Sequence, residues 1–265
     1  MKTFSVLTYN LCLGLKGNTF WDAYNSTYRV FHGRKDPQEI LAKVNFEDLF
    51  ARLKELRPDI VVLNEILDDL TSPQLISFLK GQGFTSVFIG HSGHHKKPIC
   101  VSTLVATKET AQQLPDALTF PPTTVAGTGG GAVTLEIPAL GLCLVGFHLA
   151  FKKEYIGHHI AELDAFYERI KDVYPALLFV GDLNRSPEFY KKRSRFGKEM
   201  QHAISERTFP SFFPFYKPFS FLSENILIGA VDNIFYRGNL RVRDTKVIKG
   251  RSDHKMAYVT FELRE

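Results

Sequence analysis

Short apolar runs rich in β-forming residues recur along the sequence, and polar side chains able to do chemistry stand where these runs end. Residues 3–9 are followed by Asn10, residues 60–63 (IVVL) by Asn-Glu, and residues 176–180 (ALLFV) by Gly-Asp-Leu-Asn. One such residue is usually only a turn former, but rigid scaffolds present catalytic groups at strand ends. The residues that end or interrupt such runs are Asn10, Glu65, His148, Asp182, Asn184, Asp232, Asp253 and His254.

The remaining pattern predicts an α/β protein. Helices are predicted over residues 45–56, 75–80 and 154–174, with apolar residues at three- and four-residue spacing in the first and last. The other predicted strands are 84–90, 99–107, 131–137, 142–148, 231–236, 241–248 and 256–263. Residues 14–45, which carry Trp21, are irregular and read as a long loop. No linker-like segment divides the chain, so we expect residues 1–265 to form a single domain with two stacked sheets and outer helices.

Composition excludes several classes of protein. The 265 residues are 44% hydrophobic, which excludes wholesale disorder. Cys12, Cys100 and Cys143 cannot form a disulfide framework and lack metal-type spacing, so we expect them in the core of a protein from a reducing compartment. Asn10 interrupts the N-terminal apolar run early, and no apolar stretch is long enough for a transmembrane helix. We therefore expect a cytoplasmic protein. Export without a signal stays open as an alternative, because it would leave no trace in the sequence.

Seven segments resemble, in order, the motifs of the endonuclease/exonuclease/phosphatase superfamily. They are TYNLCLG, PDIVVLNEI, GFHLAF, VGDLNRSP, TFPSFFPF, AVDNIFYRG and GRSDHKMAYVTF. GDxN alone is a common turn, but GDxN together with SDH is specific. The resemblance implies a four-layer α/β/β/α sandwich of two mixed, mainly antiparallel sheets with outer helices. It also implies a divalent-metal-dependent phosphoesterase that hydrolyses phosphodiester bonds.

Phosphoester hydrolysis needs a divalent ion, an activated water and stabilised phosphate oxygens. Mg²⁺ is bound in proteins by few carboxylates and keeps several waters. The resemblance implies that Glu65 binds Mg²⁺, or Mn²⁺ or Ca²⁺ in its place, and that Asp253 completes the metal environment. The simpler interpretation of Glu65 is a salt bridge at a strand end.

The same resemblance assigns roles to the other strand ends. Asp182 would orient or deprotonate the attacking water, and Asn184 would hold a phosphate oxygen, although the two could equally form an Asx turn. Asp232 would pair with His254, because a carboxylate fixes the tautomer of an imidazole and favours its protonated form. His254 would then face the scissile phosphate as a base or a charge stabiliser.

Two further positions follow from the resemblance. Asn10 would donate to the phosphate or to a metal-bound water. His148 would be a second phosphate ligand or a general acid for the leaving oxygen. Some nucleases of the superfamily carry an acidic residue two positions after the first Asn, where this chain has Cys12. That departure weakens the analogy with apurinic endonucleases.

Two segments bear on the substrate. Residues 191–198 (KKRSRFGK) contain five basic residues and no acid, which is typical of a solvated helix face or of a rim that binds phosphates. The candidate substrate-binding residues there are Lys191, Lys192, Arg193 and Arg195. Residues 209–221 are rich in Phe and Pro, which predicts a core-covering loop, a base-stacking surface or an apolar lip for a lipid surface. The candidate lipid-contacting residues are Phe212, Phe213 and Phe215.

Three hypotheses remain open at this point. The first is a metal-dependent phosphodiesterase or phosphatase, with nucleic acid as the favoured partner because of the basic segment. The second is a phospholipid, sphingomyelin or inositol-phosphate hydrolase. The third is a non-catalytic binding module, against which the complete set of strand-end residues argues. The sequence leaves DNA, RNA, lipid and inositol phosphate open as substrates.

Overall fold

The computed structural model describes residues 2–14, 39, 41–96, 99–115, 118, 120, 129, 131–150, 152–209 and 229–264. The elements in chain order are β1 (Thr3–Asn10), α1 (Glu47–Leu56), β2 (Ile60–Leu67), α2 (Asp68–Gly81), β3 (Ser86–Lys96), β4 (Ile99–Thr107), β5 (Gln112–Gln113), β6 (Gly131–Ile137), β7 (Leu142–His148), α3 (Lys153–Ile170), β8 (Ala176–Asp182), α4 (Pro187–Arg193), α5 (Arg195–Glu199), β9 (Gln201–His202), β10 (Asp232–Gly238), β11 (Leu240–Lys249) and β12 (Lys255–Leu263).

The strands form two six-stranded mixed sheets. Sheet A has the order β11-β12-β1-β2-β4-β3, and sheet B has the order β5-β6-β7-β8-β10-β9. Each sheet has a parallel pair at its centre, β1 with β2 in sheet A and β7 with β8 in sheet B. The other pairs are antiparallel. This arrangement confirms the predicted sandwich of two mixed, mainly antiparallel sheets.

The alternation of side chains along the strands builds the layers. Residues on one face of each sheet meet between the two sheets, among them Val6, Val62, Val105, Leu144, Leu178 and Ile234. The opposite face of sheet A packs on α1 and α2, and the opposite face of sheet B packs on α3, α4 and α5. Because both faces of the central strands are covered, their sequences read as continuous apolar runs instead of alternating ones.

Most predicted elements are present, with boundaries that differ locally. The helix predicted over residues 75–80 starts at Asp68, directly after β2. Its first turns are mostly polar, so apolar residues at helical spacing appear only in the second half of its sequence. In the structure the hydroxyls of Thr71 and Ser72 donate to the carbonyls of Leu67 and Asp68. The helix predicted over 154–174 ends at Ile170. The strand predicted over 84–90 continues to Lys96.

Cys12 and Cys143 are buried, as predicted for core residues. Trp21 and most of the irregular segment 14–45 lie outside the described residues, as does the side chain of Cys100. None of the described helices is long and apolar enough to cross a membrane.

Candidate active site at one end of both sheets

The two parallel strand pairs place their carboxyl ends at the same end of the sandwich. Asn10 lies opposite Asn64 at the end of the β1–β2 pair, and His148 lies opposite Asp182 at the end of the β7–β8 pair. The side-chain amide of Asn10 donates to Oδ2 of Asp182 at 2.9 Å, which joins the two sheets. The predicted strand ends therefore meet in one cluster, to which residues more than 170 positions apart contribute.

A bulge in β2 places Glu65. Leu63 pairs with Leu104 and Ile66 pairs with Ser102, so two residues of β2 oppose one residue of β4. Glu65 has a φ of 54°, a left-handed conformation that is strained for this residue type. Its Oε1 lies 3.8 Å from Nε2 of His148. The strained bulge is the device by which sheet A points a carboxylate at a group of sheet B.

Asp182 lies at the centre of the cluster and is 1% exposed. Its position depends on Gly181, which has a φ of 145° and packs so closely on the carbonyl of Phe147 that no side chain would fit. Asp182 accepts hydrogen bonds from the Asn10 amide and from the backbone N–H of Asn184. Burial raises the pKa of Asp182 to about 7, and His254 and Asn10 only partly offset that rise. A carboxylate with a pKa near neutrality is suited to general base chemistry.

His254 is paired with Asp232 as the resemblance implies. Asp232 lies directly opposite Asp182 across the β8–β10 pair, and its Oδ2 lies 2.7 Å from Nδ1 of His254. Burial lowers the pKa of His254, but the two carboxylates Asp232 and Asp182 together raise it well above its usual value. His254 is therefore an imidazolium at neutral pH. Its Nδ1–H donates to Asp232, and its Nε2 faces Asp182 at 3.9 Å.

His148 is in the opposite charge state. Burial lowers the pKa of His148, and the attraction of Glu65 does not compensate for the lost solvation. The side-chain amide of Asn184 lies 3.0 Å from Nε2 of His148, and no described residue forms a hydrogen bond with the buried Nδ1. A neutral imidazole that accepts at Nε2 carries its proton on Nδ1. In this tautomer Nε2 of His148 carries no proton to give to a leaving group.

The side-chain amide of Asn184 contacts other residues of the site. The residue adopts a left-handed conformation with a φ of 53°, which Asn tolerates well. Its Nδ2 donates to the carbonyl of Leu149 at 2.7 Å and also contacts His148. Both amide hydrogens are therefore engaged, and Asn184 fixes the orientation of His148.

Several supporting residues were not singled out from the sequence. Asn64 is fully buried and accepts from the backbone N–H of Asp182 while it donates to the carbonyl of Phe147, so it also bridges the sheets. Ser252 accepts from the backbone N–H of His254 and donates to Asp253. The signal for Asn64 was present, since it is a polar residue within an apolar strand beside Glu65.

The carboxylates of the cluster carry more negative charge than the described residues neutralise. They are Glu65, Asp182, Asp232 and Asp253. Within the described ranges, the protonated partner of these carboxylates is His254, the neutral His148 lies 3.6–3.8 Å from two of them, and none pairs with a lysine or arginine. Oxygen donors with uncompensated negative charge fit a hard divalent cation. Ligand atoms of Asp182, Asp232 and His254 all lie within 4.8 Å of one another.

The basic segment 191–198 forms the last turn of α4 and most of α5, on the outer face of sheet B. Lys191 pairs with Glu188 at 2.7 Å, and Arg195 pairs with Glu168 at 2.9 Å. Arg193 lies over the ring of Phe189. Part of the positive charge of this segment is thus offset locally.

The Phe-rich segment is described only at its start. The ring centroids of Phe209 and His254 lie 4.6 Å apart, so Phe209 packs against the imidazole. Phe212, Phe213 and Phe215 lie outside the described residues.

A family model described as the endonuclease/exonuclease/phosphatase family matches residues 7–254, a range that contains every residue of the cluster. The chain belongs to this family. No curated protein matches the chain.

Solved structures of the endonuclease/exonuclease/phosphatase fold resemble this chain over nearly its whole length. Truncated TDP2 from Caenorhabditis elegans is 18% identical with a TM-score of 0.61, over 98% of this chain and 97% of that one. An endonuclease/exonuclease/phosphatase from Bacteroides vulgatus is 16% identical with a TM-score of 0.61, over all of both chains. D. rerio TDP2 complexed with a single-strand DNA product is 17% identical with a TM-score of 0.59, over 99% and 100%.

Proposed function

We propose that the protein is a divalent-metal-dependent phosphodiesterase that acts on nucleic acid. One observation carries the proposal: a buried carboxylate with a pKa near 7, Asp182, lies between a protonated His254 and a neutral His148. Titratable groups whose environments push their pKa values apart mark acid–base sites. A binding module has no need of such opposed ionisation states.

Asp182 is the general base of the proposed reaction. It takes a proton from the attacking water, whose oxygen then bonds to phosphorus as the ester bond to the leaving oxygen breaks. The hydrogen bonds from Asn10 and Asn184 hold the carboxylate in place for this transfer. Because these two donors leave the pKa near neutrality, the carboxylate has both the charge and the basicity that the step requires.

His254 stabilises the charge that develops on the phosphate. Its Nδ1–H is committed to Asp232, so Nε2–H is the proton that faces a phosphate oxygen. A preorganised cation in a buried site stabilises a transition state more strongly than one in water. The side chain of Asn10 is hydrogen-bonded to Asp182 and also to Glu65, so it ties the proposed base to the proposed metal ligand.

Glu65 and Asp253 are the proposed ligands of Mg²⁺. When bound, the ion would supply positive charge beside the phosphate and orient the reacting groups. Asp253 lies close enough to Glu65 to raise its pKa together with burial, the larger cause. The imidazole of His148 is held by Asn184 and lies between the carboxylates of Glu65 and Asp182. Because this imidazole is neutral, it adds no charge to the site.

Nucleic acid is the proposed substrate for two reasons. The solved D. rerio relative was crystallised with a single-strand DNA product. The segment with Lys191, Lys192, Arg193 and Arg195 provides cations for phosphate contacts. The described residues offer no contact that favours a lipid substrate.

A substrate panel tests the proposal. It compares single-stranded and duplex DNA, RNA, bis(p-nitrophenyl) phosphate, sphingomyelin and inositol phosphates, each with Mg²⁺, Mn²⁺, Ca²⁺ or EDTA. We expect hydrolysis of nucleic acid and of the model diester that is lost with EDTA. In His254→Gln, kcat should fall about a hundredfold or more, whereas the exposed His158→Gln should retain full activity.

The result that contradicts the proposal is specific. If wild type hydrolyses no phosphodiester with any of the three ions, the catalytic assignment is wrong. If His254→Gln matches His158→Gln in kcat, the cluster is not the active site. Hydrolysis of sphingomyelin in preference to nucleic acid would leave the chemistry standing and overturn the substrate class.

A further inference from the structure

The turn between β11 and β12 concentrates positive charge beside the candidate active site. Residues 249–255 have the sequence KGRSDHK, and this turn carries Asp253 and His254. Lys249 and Arg251 are exposed, and Lys255 is half-buried. The three cations therefore lie within five residues of His254, whose imidazole faces the phosphate in the proposed reaction.

Two of these cations face each other directly. Lys249 and Lys255 are partners in the antiparallel β11–β12 pair, so their side chains stand on the same face of the sheet. Like charges directly opposite each other on a sheet are destabilising. No described residue forms an ion pair with Lys249, Arg251 or Lys255. The fold thus tolerates an uncompensated repulsion at this turn.

The rest of β11 shows the usual arrangement. Arg243 pairs with Glu262, and Lys246 pairs with Asp244 at 3.4 Å. Arg241 lies directly opposite Glu262. The basic residues of β11 thus have acidic neighbours on the sheet as far as Lys246, whereas Lys249 faces Lys255 instead of an acid.

The register shows which way the facing lysines project. Residues of the same parity as Lys249 and Lys255, among them Val247, Ala257 and Val259, pack in the layer between the two sheets. Alternation along a strand places Lys249 and Lys255 on this same face, at its open end. That end is where sheet B presents Asp182 and Asp232. The two lysines thus border the cluster from the side of sheet A.

We propose that Lys249 and Lys255 form a subsite for a second phosphate group, adjacent to the scissile one. The substrate is then a polyanion whose neighbouring phosphate relieves the repulsion between the facing lysines. This inference rests on the proposed function and narrows it, because a diester with a single phosphate cannot fill the subsite. In this proposal the phosphate backbone of the nucleic acid is bound by the turn that carries His254. The partly neutralised segment 191–198 on α4 and α5 is a second contact.

Matched single variants test the subsite by equilibrium binding. K249E and K255E are compared with the control K246E, which makes the same change in charge. Lys246 lies on β11, as Lys249 does, but pairs with Asp244. The probe is a fluorescent single-stranded oligonucleotide, measured by anisotropy in EDTA over a series of salt concentrations. We expect K249E and K255E each to weaken binding about tenfold and to reduce the slope of log K against log[salt] by about 0.7. K246E should change the slope by less than half of that.

A kinetic comparison separates this inference from the function on which it rests. With Mg²⁺, the ratio of kcat/KM for the oligonucleotide to kcat/KM for bis(p-nitrophenyl) phosphate should fall in K249E and K255E but not in K246E. Equal salt slopes in all three variants would overturn the subsite. Failure of wild type to hydrolyse either substrate, with the binding differences intact, would instead overturn the proposed function. Thermal unfolding of each variant, and K249Q with K255Q, exclude misfolding as the cause.

Discussion

The substitution Asp182→Asn should weaken catalysis and strengthen the fold at alkaline pH. Asp182 is buried, and its pKa is raised from 3.8 to about 7. The unfolded chain loses this proton at lower pH than the native protein does, so native stability declines as pH rises from about 4 to about 7. At 1.36 kcal/mol per unit, the whole decline is about 4 kcal/mol. An Asn at this position has no charge to desolvate and is spared that loss.

The substitution also removes an acceptor. The Asp182 oxygens accept from Asn10 and from the backbone N–H of Asn184, and an amide can accept at only one of its two ends. An unsatisfied buried donor costs about 1–3 kcal/mol, at every pH. The net effect is therefore a stabilisation of roughly 1–3 kcal/mol at pH 8, and little or none at pH 5.

Urea unfolding of the wild type and Asp182→Asn at pH 5 and pH 8 measures this effect directly. The difference in free energy of unfolding between the two proteins should shift by about 3 kcal/mol between these pH values, in favour of Asn at pH 8. Meanwhile kcat should fall about 10²- to 10⁴-fold. Asp59→Asn is the matched control, since Asp59 also accepts from a backbone N–H but lies at the opposite end of sheet A. A pH-independent difference between the wild type and Asp182→Asn would refute the desolvation argument.

Three further outcomes are expected. Burial lowers the pKa of His159 to about 4, so the free energy of unfolding should fall by about 3 kcal/mol as pH drops from 6.5 to 4. His159→Asn should abolish this part of the pH dependence in melts followed by circular dichroism. An unchanged pH dependence would contradict this. Glu65→Gln should raise the Mg²⁺ concentration for half-maximal activity at least about tenfold, and an unaltered Mg²⁺ titration would remove Glu65 from the metal site. Asn64→Ala should destabilise the protein by about 2–5 kcal/mol, because it strands the N–H of Asp182 and the carbonyl of Phe147; a loss below 1 kcal/mol would be inconsistent with this.

The site residues at the strand ends could be predicted because a polar residue that interrupts an apolar run can be recognised in the sequence alone. Asn10, Asp182 and Asp232 are each found this way, and the sheet registers bring them together. The mixed topology followed from resemblance to known motifs and not from periodicity. The expectation that residues 1–265 form a single domain stays a prediction.

The charge states could not be predicted, because they depend on burial and on contacts distant in sequence. His148 and His254 both end apolar segments, yet one is neutral and the other is protonated. The difference arises because Asp232 bonds directly to His254, whereas Asn184, an uncharged residue, contacts His148. Nor does spacing reveal the left-handed backbone at Glu65, which follows from pairing with β4.

Charge runs were also hard to interpret from sequence alone. Residues 191–198 stood out because they lack acids, but Glu168 and Glu188 approach them in space. The turn at Lys249 is less conspicuous, since its cations are separated by other residues. Its significance depends on the cross-strand register that sets Lys249 opposite Lys255.

The opposed ionisation of the two buried histidines is the central claim, and an NMR titration of their imidazoles tests it most directly. Signals are assigned by comparing wild type with His148→Gln and His254→Gln, and both pKa values are read in one sample. His254 should remain protonated well above pH 6.5, and His148 should titrate below pH 6.5 and be neutral at pH 7. Titration of both residues together near 6.5, or in the reverse order, would contradict the account.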